Sequence, residues 1–187
     1  ITIELREILL SDRPDELYVA SSKGTVPVLQ FSDGSVIDES FDIMKWCLEQ
    51  VKTDWLDINF GDQLSIIKVN DEDFKSWLNK YKYHQRHPEQ SVDFYQEKCV
   101  KILLEHEETL SNKLFLFGEK PQVADVAIFP LVRQFAHVDL SFFTKKLPHL
   151  NRWLETWKES KLFQSIMKKY DKWEPNQTPL IVTFNNE

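Results

Sequence analysis

The stretch KGTVPVLQFSDGSVIDES, residues 23–40, decides how the rest of the chain is read. Val26, Val28, Leu29 and Phe31 form a short β-prone run, and Val36 and Ile37 supply a return strand. Asp33-Gly34 between them reads as a two-residue turn, because glycine accepts a positive φ without steric cost and aspartate tolerates it. The prediction is an antiparallel hairpin that stops at Asp38-Glu39-Ser40, where a helix begins. Pro27 stands at the head of the first strand, a place where a missing N–H is tolerated. A cis Val26–Pro27 bond would turn the N–H and C=O of Val26 toward a ligand instead of a neighbouring strand, although spacing alone does not select that isomer. At Glu39-Ser40, backbone N–H groups, a hydroxyl and the positive end of a helix dipole converge, which suits a carboxylate. The Glu39 side chain beside them suits an ammonium. One small site would then read both charges of an amino acid.

Composition bounds the alternatives. The 187 residues suffice for one large or two small domains, and 42% hydrophobic with 28% charged content is ordinary for a soluble globular chain. A net charge of −7 argues against a phosphate-tracking nucleic-acid binder, which needs a basic face. Six Trp and thirteen Phe against four Gly point to a helix-rich, aromatic-packed protein. Cys47 and Cys99 show neither C-x-x-C nor metal-ligand spacing and fall on helical stretches, so they read as buried, inert thiols that fit a reducing cytoplasm. No apolar run approaches the ~20 residues of a membrane span, and no signal-peptide pattern opens the chain.

Along the chain, Ile1, Ile3 and Leu5 alternate with Thr2, Glu4 and Arg6, predicting a strand over residues 1–8. Residues 9–22 read as a turn and a short helix with Pro14 near its start. Residues 40–51 read as a helix with an apolar stripe. Lys52 to Asp71 sustains no period and reads as a connection between domains. From Glu72 onward the patterns are helical: Phe74, Trp77, Leu78 and Tyr81 on one helix, then a stripe from Val92 to Leu110 capped by Ser91. The stretch GEKPQVADVAIFPLVRQFAHVD, residues 118–139, is apolar nearly all round from Ala124 to Phe135 and so reads as a buried helix, opened at Pro121 or Val123, that Pro130 should kink. Two further helices carry Leu147 to Trp157 and Leu162 to Tyr170. The tail from Trp173, with a β-prone Leu180 to Phe184, reads as an extended strap.

These residues resemble the cytosolic glutathione transferases. The family pattern of a V-P-x-L strand, a turn and E-S opening a helix stands here as Val26-Pro27-Val28-Leu29 and Glu39-Ser40. In the family the proline is cis, the residue before it pairs with the cysteinyl backbone of glutathione, and the Glu-Ser pair holds the γ-glutamyl end. Asp12 to Leu17 resembles the K-P-E segment of omega-like and bacterial members, which brings Arg13 forward as a glutathione contact with a different donor geometry from lysine. The buried helix resembles the family's sixth, which opens with an S/T-x-x-D capping box. Here Gln122 replaces the hydroxyl and Asp125 keeps the acid, so half of the box is expected to be lost, at about 0.5–2 kcal/mol.

The resemblance implies an α+β fold: a partial thioredoxin-like N-terminal domain (strand, helix, hairpin, helix) over residues 1–51, a linker over 52–71, and an all-α glutathione transferase C-terminal domain with an extended tail over 72–187. It further implies an earlier strand and helix before Ile1, lying beside the first strand and carrying the Tyr, Ser or Cys that activates sulfur. The expected chemistry is attack of the glutathione thiolate on a small hydrophobic electrophile, or thiol exchange with a glutathione mixed disulfide, in a cytoplasmic homodimer with glutathione as co-substrate and no metal. The expected contacts are Val26, Pro27, Glu39, Ser40 and Arg13. Two rivals stand beside this reading. One is a non-catalytic protein-binding module like the stringent starvation protein; the other is a dithiol reductase of the glutaredoxin type.

Other conspicuous residues take structural readings. Asp125 has cap spacing and reads as a folding element, not a catalytic acid. Arg133 on the buried helix reads as an internal ion-pair partner. His84 and His87 lack a third ligand nearby and read as an exposed helix end. Trp77, Tyr81 and Tyr83 read as core before they read as a substrate pocket.

Overall fold

The computed structural model describes residues 1–51 and 53–184; Lys52, where the expected connection begins, and residues 185–187 lie outside them. The chain divides into two compact units, Ile1–Gln50 with Met167–Glu187, and Val51–Ile166. The tail thus belongs with the N-terminal segment and not with the helical region that precedes it.

The first unit holds β1 (Thr2–Glu4), α1 (Asp15–Ala20), β2 (Leu29–Gln30), β3 (Val36–Ile37), α2 (Ser40–Glu49) and β4 (Ile181–Thr183). The strand predicted over residues 1–8 is regular for only three residues. It pairs antiparallel with the tail, Thr2 opposite Thr183 and Glu4 opposite Ile181. The hairpin forms as a second two-stranded sheet, Leu29 opposite Ile37 and Gln30 opposite Val36. Its turn is one residue longer than predicted. Phe31 N–H donates to Ser35 O at 2.9 Å, enclosing Ser32, Asp33 and Gly34, and Gly34 takes φ +87°. Asp33 explains the extra residue: its Oδ1 accepts from both Ser35 N (2.9 Å) and Ser35 Oγ (2.6 Å), an Asx turn that holds glycine in the left-handed position. On α2, Trp46 packs edge-on to Phe31 with centroids 5.2 Å apart, tying the helix to the hairpin.

The second unit is wholly helical among its described residues. It comprises α3 (Phe60–Val69), a π turn (Asn70–Phe74), α4 (Lys75–Lys82), a 3₁₀ turn (His84–Arg86), α5 (Val92–Leu110), α6 (Val123–Ala136), α7 (Leu140–Lys146), α8 (Pro148–Glu159) and α9 (Lys161–Ile166). Helix α3 begins inside the stretch where no helical period is legible, because two of its buried positions are polar, Gln63 and Asn70 at its end. Trp153, Tyr95, Phe74, Phe135 and Phe143 fill the core, each under 2% exposed. Trp77 and Tyr81 join it, while Tyr83 stays exposed beneath Lys82 and Arg86. Ser91 caps α5 by accepting from Phe94 N at 3.1 Å, and Asp139 caps α7 through Phe142 N at 2.9 Å.

The start of α6 departs from expectation in an informative way. Asp125 keeps its half of the box, Oδ2 accepting from Gln122 N at 3.0 Å, while the Gln122 side chain makes no cap hydrogen bond of its own and its Oε1 accepts from Gln63 Nε2 at 3.4 Å. The acceptor that a hydroxyl would have supplied comes from α3: Gln63 Oε1 takes Ala124 N–H at 3.0 Å. The amide of Gln63 is held in turn, donating to Ile58 O at 2.7 Å and Trp55 O at 3.3 Å. The loss expected from Gln122 is therefore made good across the helix interface. Asp125 Oδ1 also accepts from Leu116 N (3.0 Å) and Trp153 Nε1 (2.9 Å), so three buried N–H groups converge on one carboxylate. Burial pushes its pKa up, and those donors act in the other direction.

Arg133 does not form the expected internal ion pair. It has no acidic partner among the described residues; its guanidinium lies 5.2 Å over the Phe163 ring and its Nε is buried without a hydrogen bond. The aromatic face supplies the attraction that a carboxylate was expected to give.

Candidate functional site

Four of the five predicted residues, Val26, Pro27, Glu39 and Ser40, flank the β2–β3 hairpin in sequence. Val26–Pro27 is cis, and Val26 is half exposed with its N–H and C=O outside the β2–β3 pairing. Glu39 is the cap residue of α2, in extended conformation (φ −111°, ψ 131°), and Ser40 is the first helical residue. Glu39 O accepts from Ile43 N at 3.0 Å, but no side chain caps the first turn. Its leading N–H groups therefore face solvent, with the helix dipole behind them. Glu39 and Ser40 are both exposed.

Sequence reading missed the residues that arrange this corner. Lys23 donates to Glu39 Oε1 and, at 3.0 Å, to Asp38 Oδ1. Ser21 Oγ donates to Asp38 Oδ2 at 2.6 Å. The Glu39 contact, followed by Asp38, raises the Lys23 pKa. The Ser21 hydroxyl, followed by Lys23, holds Asp38 below the usual carboxylate range. Two carboxylates face one ammonium, so the cluster retains an excess negative charge that a ligand ammonium would satisfy. Gly24, at φ +60°, is buried with the Tyr18 ring where a side chain would stand, and it brings Lys23 round to α2. The spacing of Lys23 from Glu39 was visible in the sequence, but only the hairpin's closure shows that they meet.

Arg13 is exposed before the first turn of α1, with no hydrogen bond or ion pair to Glu39 or Ser40 among the described residues. Neither cysteine is poised for sulfur chemistry. Burial raises the Cys47 thiol and pushes Cys99 up to about 12, the reverse of what a nucleophilic thiolate requires. No cluster of three or more His, Cys, Asp or Glu side chains with metal-ligand placement occurs among the described residues, and no single helix among them is long and apolar enough to cross a membrane.

The helical unit has a cavity of about 450 Å³, lined in part by Asp62, Ser65, His106, Thr109 and Lys113. His106 is 8% exposed there, and burial lowers its pKa to about 4, so the ring is neutral at physiological pH.

The α2 corner and the strand before it offer main-chain groups at Val26 outside the hairpin pairing, uncapped amides with a hydroxyl at Ser40, and a carboxylate pair at Asp38 and Glu39. That set suits a peptide-like ligand bearing a free amino acid end.

Comparison with known proteins agrees with this architecture. Residues 1–50 match the glutathione S-transferase N-terminal domain family and residues 89–156 match the glutathione S-transferase C-terminal domain family. Among solved structures, the chain is similar to a glutathione S-transferase from Xanthobacter autotrophicus Py2, at 19% identity over 80% of this chain and 75% of that one, with a TM-score of 0.64. It is similar to a Gtt2-class glutathione S-transferase of Vibrio parahaemolyticus, at 19% identity over 87% and 81%, with a TM-score of 0.65. It is also similar to a glutathione transferase from Phanerochaete chrysosporium solved with oxidised glutathione, at 19% identity over 82% and 76%, with a TM-score of 0.66. A search of curated protein sequences returned no match. With both domain families matched in order on one chain, and a thioredoxin-like unit followed by an all-helical one, the chain belongs to the glutathione S-transferase superfamily.

Proposed function

We propose that the N-terminal unit binds glutathione at the α2 corner and that the protein is a glutathione transferase. The observation that carries this is the uncapped start of α2, where the exposed Glu39 and Ser40 stand at the positive end of the helix dipole. In this reading the Val26 main chain pairs with the cysteinyl backbone. The α2 amides and Ser40 hold the γ-glutamyl carboxylate, and Glu39 holds its ammonium with Asp38 in support. Pro27 shapes the approach, and Arg13 reaches the tripeptide from the α1 side. The bound sulfur then attacks a small hydrophobic electrophile or exchanges with a mixed disulfide, the thiolate being the reacting form. The protein works as a cytoplasmic homodimer.

Calorimetry with reduced glutathione tests the site. Glu39→Ala and Ser40→Ala are each expected to weaken binding about tenfold, the scale of one charge-assisted hydrogen bond, with the fold retained. Unchanged affinity in both variants would sink the assignment. A non-catalytic binding module is the second reading, and one observation favours it: Lys23 already occupies Glu39. Retention on immobilised glutathione or turnover of a chloronitrobenzene supports the transferase, and absence of both supports the protein-binding module.

A further inference from the structure

The tail runs alongside the opening segment of the chain and grips it at successive points. Phe184 N–H donates to Ile1 O and Leu5 N–H to Leu180 O, both at 2.8 Å, with β1 and β4 paired between them. Trp173 N–H donates to Glu7 O at 2.7 Å, and the Arg6 guanidinium lies 4.8 Å over the Trp173 ring. Lys172 Nζ reaches Asp12 Oδ2 at 2.6 Å. Among the described residues of this unit, Trp173 is the one apolar side chain under a tenth exposed.

These contacts give the tail its weight. Helix α1 is six residues long, and each sheet has two strands of two or three residues. Short helices and two-stranded sheets are marginal in water by themselves, so contacts that tie them together matter for their geometry. A continuous path joins the tail to the α2 corner. Glu7 and Asp12 flank a turn closed by Asp12 N–H to Leu9 O at 2.9 Å. That turn leads into α1, and α1 ends at Ser21, whose hydroxyl bonds Asp38 beside Glu39.

We propose that residues 172–184 are a clasp on the ligand-binding unit, with Trp173 and Lys172 as positioning residues that hold the α2 corner in its binding geometry. With the clasp released, the corner loosens and the ligand is lost, while the helical unit stays folded. The ligand named here, glutathione, rests on the function proposed above; the clasp itself does not.

The test uses the full chain and two readouts. In amide hydrogen exchange without ligand, Trp173→Ala is expected to speed exchange about tenfold or more across residues 21–40 and to leave α5, α6 and α8 unchanged, as local opening of one unit would. Trp173→Phe, which keeps a ring beneath Arg6, is expected to restore protection. By calorimetry, Trp173→Ala should raise the Kd for reduced glutathione at least about tenfold and Lys172→Met about two- to threefold. Combining Trp173→Ala with Ser21→Ala should give less than the product of their separate effects if the path through Ser21 carries the coupling. Unchanged exchange over residues 21–40 in Trp173→Ala overturns the clasp, and so does equal loss of protection in α5 and α6. Failure of the unaltered protein to bind glutathione overturns the proposed function instead and leaves the exchange result to decide the clasp.

Discussion

The two units solve the problem of stability differently. In the helical unit, Ile128, Phe143, Leu150, Trp153 and Leu154 are fully buried, and even the polar Asp125 and Gln63 are sealed in and hydrogen-bonded. In the unit that carries the α2 corner, Ser21, Gly24 and Trp173 alone among the described residues are buried, and Leu10, Val19 and Ile181 are each more than 60% exposed. Among the described residues, the contacts of the first unit are dense apolar packing and those of the second are hydrogen bonds, ion pairs and strand pairing. A binding corner on such a unit can adjust to a ligand, and its energetics should respond to charge and salt where those of the helical unit respond to volume and burial.

Substitutions can break that contrast. The largest effect is expected from Asp125→Ala, which leaves the N–H groups of Leu116, Gln122 and Trp153 buried without an acceptor. A loss of about 3–5 kcal/mol in urea unfolding of the helical unit follows from that penalty. Acid comes next. His106 is neutral in the folded protein down to about pH 4, against 6.5 for the free side chain. At pH 7 it is neutral in both states and contributes nothing. Below 6.5 the unfolded chain binds a proton that the folded one does not, so stability falls as pH drops from about 6.5 to 4, by about 3 kcal/mol. His106→Gln should flatten that slope in a pH series of denaturation midpoints. Gln63→Leu should cost about 1–3 kcal/mol, by stripping Ala124 N–H of its acceptor, with no effect on ligand affinity. Lys23→Met should sharpen the contrast from the other side. It leaves the melting temperature in place and tightens glutathione binding a few-fold at low ionic strength, because it removes the cation that competes for Glu39. High salt should erase the gain.

Much of this was legible from residue order. The hairpin, the helix opening at Ser40, the buried 123–136 helix and the Ser91 cap all rest on local rules, where a few neighbouring side chains decide the outcome. What escaped was relational. The turn lengthened because Asp33 captured Ser35. Helix α3 hid because its inward face carries Gln63 and Asn70, which look solvent-facing until their partners are known. Lys23 reads as an ordinary surface charge until the chain folds back on Asp38 and Glu39. Arg133 found an aromatic face where an acid was expected. The tail's pairing with β1 joins residues some 180 positions apart, which no periodicity can report.

The Gln63–Ala124 bond spans 61 residues. A helix that carries its own hydroxyl cap can nucleate wherever it happens to be, whereas α6 borrows that acceptor from α3. Excised as a peptide, the 119–137 stretch would keep only the Asp125 half of its cap. Within the folded unit the two segments are therefore linked in stability, although far apart in sequence.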